Sequence, residues 1–309
     1  MKTGLLFSGQ GAQTVGMGKS LYDVSPVARA IYDLAEAITG WDFKKICFEG
    51  PADLLTQTKV CQPALYVHGF AAYTLLKEAN HALQVVAAAG LSLGELTALA
   101  AAEVYDFATG LKIVIERGRL MQEACETTSG TMASIIGADK AKVSLLCAQC
   151  DVDMANLNSP GQIVISGAKD KMASAIVAAG GMGFKKIIPL NVAGAYHSRL
   201  MQPAADKFAK FISSIDFKAP KFAVFTNTTG EQIKNPDEIK AALVKQITHT
   251  VLWEDCFRGM TALGVEQFYE CGMGGVLSGL AKRIVPDARI ACISQISEIQ
   301  SAVTAAQAV

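Results

Sequence analysis

The residues best placed to do chemistry in this 309-residue chain are a serine and its neighbours, Gly90-Leu91-Ser92-Leu93-Gly94. The pentapeptide follows a short apolar run, Val85-Val86-Ala87-Ala88-Ala89, and leads into Glu95-Leu96-Thr97-Ala98-Leu99-Ala100-Ala101-Ala102, which is rich in helix formers. Strand, G-x-S-x-G, helix is the setting of a nucleophile elbow. The turn holds its serine on strained backbone, and glycines two residues either side let strand and helix pass closely. It pushes the hydroxyl out at the carboxyl end of a strand and puts the Leu93 amide, at a helix N-terminus, where an oxyanion would form. The bland alternative is a serine that only caps the helix.

A serine at neutral pH needs a base. The chain has four histidines. His68 is expected inside a helix among Leu65, Val67 and Phe70, His81 in a short loop and His249 at a helix end, whereas His197 falls in a loop before a helix that Ser198 can cap. Serine before histidine is also the chain order of elbow enzymes. Between Glu123 and His197 the acids are Glu126, Asp139, Asp151, Asp153 and Asp170, and none follows a strand of the main sheet. The expectation is therefore a Ser92–His197 dyad, its histidine oriented by a neutral group such as a backbone carbonyl. Two arginines lie on the helix predicted from Asp106 to about Cys125. Arg119 has Glu123 at i+4 as a surface partner, which leaves Arg117 freer to point elsewhere.

The elements that must position these groups alternate as in an α/β protein. Leu5-Leu6-Phe7 reads as a strand broken by Ser8-Gly9-Gln10-Gly11, a segment whose backbone must approach something closely. Ser25-Pro26 opens a helix to Ile38, and Gln62-Pro63 opens another from Ala64 to Lys77. From Thr131 the order changes. Strands are expected at 131–137, 151–157, 163–166 and 185–192 and helices at 139–149 and 169–179, with Asn158-Ser159-Pro160-Gly161 as a turn. That βαββαβ order is the split ferredoxin-like unit, read here as an insert over 128–194 in a core of 1–127 and 195–309, with a cleft between them. After His197 come a strand at 222–225, helices at 237–247 and 253–263, a strand at 265–269, a last helix at 276–284, a strand at 289–293 and an alanine-rich tail.

Composition narrows the function classes. Lys plus Arg and Asp plus Glu are balanced at 28 each, which argues against a nucleic-acid partner. No apolar run reaches the roughly 18 residues needed to span a bilayer, and the start reads as a strand rather than a signal peptide. The eight cysteines are scattered in apolar runs, as in a reduced cytoplasmic protein. Cys147 and Cys150 form a lone C-x-x-C, more simply two cysteines on a short helix than a zinc site. The elbow glycines are too few and wrongly spaced for a dinucleotide fingerprint, and a monomer is expected.

Along essentially its whole length the chain resembles the malonyl-CoA:acyl carrier protein transacylase family. Phe7-Ser8-Gly9-Gln10-Gly11-Ala12-Gln13 is similar to that family's FPGQGSQ, and Gly90-Leu91-Ser92-Leu93-Gly94-Glu95 to its GHSLGE. Arg117-Gly118-Arg119-Leu120-Met121-Gln122 resembles RGxxMQ, Asn156 to Gln162 resembles NxNSPGQ, and Gly194-Ala195-Tyr196-His197 resembles the GAFH of malonyl-loading members. The resemblance implies a hydrolase-like α/β core with a parallel sheet and a ferredoxin-like insert. It implies Ser92 as the acylated nucleophile, His197 as its base and Arg117 as the clamp on the malonyl carboxylate. It also implies that the amides of Gln10 and Leu93 form an oxyanion hole and that Gln62, Asn158 and Gln162 line the cleft. The implied reaction moves malonyl from malonyl-CoA to acyl carrier protein by ping-pong transfer, with no cofactor and no metal. Lys282, Arg283 and Arg199 are candidates for docking the acidic carrier. Three positions depart from the pattern: Leu91 replaces histidine, Ser8 replaces proline, and Leu252 stands where some members have glutamine, near the carbonyl thought to orient the base. A polyketide acyltransferase, a serine hydrolase and a non-catalytic carrier-docking protein remain as alternatives.

Overall fold

The computed structural model describes residues 1–137 and 139–307. Its ten strands are β1 (Lys2–Phe7), β2 (Gln84–Gly90), β3 (Gly130–Ile136), β4 (Asp153–Ser159), β5 (Gln162–Ala168), β6 (Lys186–Pro189), β7 (Ala223–Phe225), β8 (Gln232–Ile233), β9 (Gln267–Cys271) and β10 (Ile290–Ile293). They form a six-stranded sheet, β10-β9-β1-β2-β7-β8, and a four-stranded sheet, β4-β5-β3-β6. In the first, β10, β9, β1, β2 and β7 run parallel and β8 is an antiparallel edge hairpin. Helices cover both faces, so β1 and β2 read as continuous small and apolar runs: Leu5, Leu6, Phe7, Ala87, Ala88 and Ala89 are all buried.

The four-stranded sheet is antiparallel throughout, and its order is that of a ferredoxin-like unit. Its period-2 pattern divides two cores. Ala133, Ile135, Ile163 and Ile165 pack with Val143, Leu146, Met172 and Ala175 of the Lys140–Cys150 and Lys169–Gly180 helices. Met132 and Val164, on the opposite face, join the main core. An isolated bridge, Leu157 N to Val251 O at 2.9 Å and Val251 N to Ala155 O at 2.8 Å, ties β4 back to the large unit.

The structure corrects several boundaries. The helix expected from Ala64 starts at Thr58 and keeps Pro63 inside its second turn. One missing N–H is outweighed by burial, since Val60 through Gly69 are all buried. Asn158 and Ser159 belong to β4, so only Pro160-Gly161 turn the hairpin. The alanine-rich tail is a helix, Ile296–Gln307, held by the buried Ile299 and Ala302. No helix among the described residues is long and apolar enough to cross a membrane.

Candidate active site

Ser92 leaves β2 with φ 54° and ψ −104° and starts the Leu93–Ala101 helix. His197 also has a left-handed backbone, φ 56°. Such conformations are costly for residues with a Cβ and persist only where surrounding structure over-determines them. The close packing that holds the elbow depends on glycine. A Cβ on Gly90 would run into the backbone of Gly94, and one on Gly94 into the carbonyl of Phe7 at the end of β1. A Cβ on Gly9 would strike the carbonyl of Leu91, so the Ser8–Gly11 loop lies directly against the elbow. That contact brings Gln10 beside Ser92 and Leu93 at the cleft.

The Ser92 Oγ is 2.8 Å from His197 Nε2, and His197 Nδ1 is 2.8 Å from the carbonyl oxygen of Gln246. A carbonyl can only accept, so Nδ1 carries the proton and the Nε2 lone pair faces the serine hydroxyl. Burial, then the nearby Arg117 charge, lowers the His197 pKa to about 4 against the opposing pull of the Gln246 carbonyl. The ring is therefore neutral at pH 7 and able to take a proton. Ser198 fixes the segment by donating to Ala195 O at 2.6 Å and accepting from Leu200 N at 3.3 Å.

Arg117 is 1% exposed. Its Nη1 donates to Gln62 Oε1 at 2.6 Å, and its Nη2 donates to Gln246 Oε1 at 2.7 Å and to Ser92 Oγ at 3.1 Å. Burial lowers its pKa to about 10, partly offset by Glu95, so it stays charged at neutral pH. Arg119, two residues on, is exposed and gripped by Glu116 and Glu123 at 2.7 and 3.2 Å.

A cleft of about 210 Å³ opens above the serine between the two sheets. Each catalytic or substrate-binding residue expected from the sequence lines it: Ser92, His197, Arg117, Gln10, Leu93, Gln62, Asn158 and Gln162. The other three histidines lie elsewhere. His68 is buried against the Tyr32 hydroxyl at 3.4 Å, its pKa lowered to about 4 by burial, while His81 and His249 are exposed. Leu91 lies in the cleft wall.

Two expectations are corrected. The carbonyl facing the histidine belongs to Gln246, at the end of the Pro236–Gln246 helix, whereas Leu252 packs against the insert's core. Arg199 is clamped by Asp151 and Asp153 at 2.7 and 2.9 Å, so it offers little free charge to a partner. Of the other two basic candidates, Arg283 donates to Gln162 at the cleft, and Lys282 is exposed beside it.

Three residues that sequence reasoning passed over complete the site. Asn227 accepts from the Ser92 amide at 2.7 Å and donates to the Gly90 carbonyl at 2.8 Å, holding the elbow on both sides. Gln246 Nε2 donates to Ser92 O at 3.0 Å and to Glu95 Oε2 at 2.7 Å. Glu95, only 2% exposed, also accepts from Asn227 N at 2.9 Å.

A parallel sheet with a serine on its elbow, a histidine at hydrogen-bond distance and an antiparallel insert above them is a hydrolase-like α/β architecture. The acyl transferase domain family matches residues 5–273, and the chain belongs to that family and is an acyltransferase. It is 38% identical over 301 residues to the malonyl CoA-acyl carrier protein transacylase of Escherichia coli strain K12, covering 96% of this chain and 97% of that protein. It is also 38% identical over 287 residues to the polyketide biosynthesis malonyl CoA-acyl carrier protein transacylase of Bacillus subtilis strain 168, covering 92% and 97%. Among solved structures, it superposes with a TM-score of 0.95 and 35% identity on a malonyl-transacylase in complex with its type II polyketide acyl-carrier protein, covering 99% and 100%.

Proposed function

We propose that this enzyme transfers the malonyl group of malonyl-CoA to the phosphopantetheine thiol of an acyl carrier protein, through a malonyl ester on Ser92, and so supplies fatty-acid synthesis. The observation that carries the reading is Arg117: a buried guanidinium 3.1 Å from the Ser92 hydroxyl that touches only neutral groups among the described residues. Such a group in a closed cleft is a receptor for a carboxylate, which it can meet with two charge-assisted hydrogen bonds. A malonyl thioester carries its free carboxylate two carbons from the reacting carbonyl carbon, which matches a clamp beside the nucleophile.

His197 Nε2 takes the Ser92 proton as Oγ attacks the thioester carbonyl. The tetrahedral oxyanion is received by the Gln10 and Leu93 amides; losing one such donor typically costs about 10²–10³ in rate. Collapse breaks the carbon–sulfur bond, and the imidazolium returns its proton to the departing CoA thiolate. In the second half the carrier's thiol gives its proton to His197, its sulfur attacks the ester, and Ser92 leaves as the alcohol. Proton and electron-pair accounts close in each half, so no cofactor or metal is required. Asn158 and Gln162, on the insert side, line the path of the pantetheine arm, and Lys282 and Arg283 lie where the acidic carrier would approach. We read the chain as a cytoplasmic monomer with its insert over 128–194.

Intact-mass measurement after mixing with malonyl-CoA tests the reading. The expected result is one malonyl adduct, mapped to Ser92 and lost on addition of holo acyl carrier protein, which gains it. An adduct on a cysteine would overturn the mechanism, and release of free malonate instead of transfer would make the protein a hydrolase. Because a relative named for polyketide biosynthesis and one whose name gives no pathway are equally identical, rates with fatty-acid and polyketide carriers decide the pathway.

A further inference from the structure

Arg117 and Arg119 differ in where their counter-charges sit. Arg119 is paired directly, its Nε and Nη2 donating to Glu116 at 2.8 and 2.7 Å, so its flat donor edge is filled. Arg117 has no carboxylate in contact among the described residues, yet it is almost fully buried. A buried charge without compensation is strongly disfavoured. The nearest compensation lies one side chain away. Arg117 Nη2 donates to Gln246 Oε1 at 2.7 Å, and Gln246 Nε2 donates to Glu95 Oε2 at 2.7 Å.

The orientation of the Gln246 amide is forced. Its Nε2 also donates to the Ser92 carbonyl at 3.0 Å, so a flipped amide would set NH₂ against the guanidinium and an oxygen against two acceptors. The amide dipole thus lies with its negative end on the arginine and its positive end on the glutamate. Glu95 Oε2 receives a second N–H, from Asn227 at 2.9 Å. Burial raises the Glu95 pKa, and the Asn227 and Gln246 donors, with the Arg117 charge beyond them, oppose that rise by favouring the ionised carboxyl.

We infer that Glu95 is the counter-ion of Arg117, held at one remove by Gln246, so that the guanidinium is stabilised with no carboxylate on its own donors and keeps its unpartnered Nε for the acyl carboxylate. The inference rests on the reading of Arg117 as the carboxylate clamp. Glu95 is then a positioning residue that sets acyl selectivity. Its negative charge weakens the clamp's pull on malonyl, an effect that an uncharged acyl group does not feel.

The test is the ratio of malonyl-CoA to acetyl-CoA loading, as kcat/KM, in wild type, E95Q and Q246E. In E95Q the glutamine oxygen can accept from both Asn227 and Gln246, so the hydrogen bonds persist and only the charge is lost. The ratio is expected to rise about tenfold, through a lower KM for malonyl-CoA. An unchanged or lower ratio in folded E95Q overturns the inference. If E95Q does not fold, Q246E decides. It brings a carboxylate onto Arg117 while the backbone carbonyl facing His197 stays, so malonyl loading should fall about 10²-fold more than acetyl loading. Equal losses overturn the counter-ion role. Failure of the underlying reading looks different: a wild type with no preference for malonyl removes the clamp and the counter-ion together, whereas a preference that E95Q leaves unmoved removes only the latter.

Discussion

On the large-sheet wall of the cleft, nearly every polar side chain is engaged by another. Asn227 ties the elbow amide to the Gly90 carbonyl, Gln246 joins Ser92, Glu95 and Arg117, and Gln62 holds the arginine's far nitrogen. On the small-sheet wall, Asn158 Oδ1 lines the cleft and is buried without a partner. The exceptions on the first side, Arg117 Nε and Tyr196 Oη, belong to residues that line the cleft where the acyl group is proposed to sit. An unpaired buried polar atom is unfavourable until something meets it. One wall is organised before substrate arrives; the other holds an acceptor, Asn158 Oδ1, that a ligand can satisfy. Substitutions in the first should strike the chemical step, and substitutions in the second should strike binding.

The largest expected effect is at His197. His197→Ala should lower malonyl loading by roughly 10³-fold or more with KM little changed, while His249→Ala, in an exposed bend, should leave both constants alone. Equal damage from His249→Ala would break the assignment of the base. The pH profile sharpens it. A group whose pKa is lowered to about 4 stays unprotonated as pH falls through the ordinary histidine range. The acid limb of kcat/KM should therefore lie near pH 4 rather than near 6.5; a limb at the ordinary value would mean that a different, solvated group is titrating.

Arg117→Ala comes next. The malonyl-to-acetyl loading ratio should fall roughly 10²-fold, the worth of two charge-assisted hydrogen bonds, whereas Arg119→Ala should not move it. A fall confined to Arg119→Ala would place the clamp on the wrong arginine. Loss of acetyl loading to the same degree would make Arg117 a support for Ser92 rather than a reader of the acyl group.

Why Ser92 and His197 were legible in the sequence and Gln246, Asn227 and Glu95 were not follows from how each is specified. The elbow is local: an apolar run, two glycines four apart and a helix define it within nineteen residues, Gln84 to Ala102. His197 stands out by elimination, as the one histidine in a loop before a capped helix. Gln246 looks like any polar residue at the end of an amphipathic helix, and Asn227 like any residue of a Thr-Asn-Thr-Thr turn. Both are completely buried because other elements cover them, a tertiary fact with no local pattern. Glu95 reads as a favourable acid in a first helical turn, and its burial under Asn227 and Gln246 gives it a different setting. The same limit misplaced the start of the Thr58–Ala79 helix, where Pro63 argued locally for a beginning and packing overrode it. The order of elements and the ferredoxin-like succession survived because they depend on periodicity, which is local.

The smallest effect separates the two walls most cleanly, because it sets two asparagines against each other. Asn227 makes hydrogen bonds in the free protein that its removal would leave unmet: the Ser92 amide loses its acceptor and the Gly90 carbonyl its donor. Asn227→Ala should therefore lower the melting temperature by several degrees and reduce kcat through a looser elbow. Asn158 Oδ1 has no partner to lose. Asn158→Ala should leave the melting temperature unchanged or slightly raised, because an unsatisfied acceptor has been deleted. Its cost should appear only when substrate is bound, as a KM for malonyl-CoA raised about three- to tenfold at constant kcat, the loss of one neutral hydrogen bond to an amide N–H of the pantetheine arm. Thermal melts and initial rates on the two variants, measured together, decide it. If Asn158→Ala destabilises the free protein as much as Asn227→Ala, the insert wall is already organised, and the distinction between a wall that positions and a wall that receives does not hold.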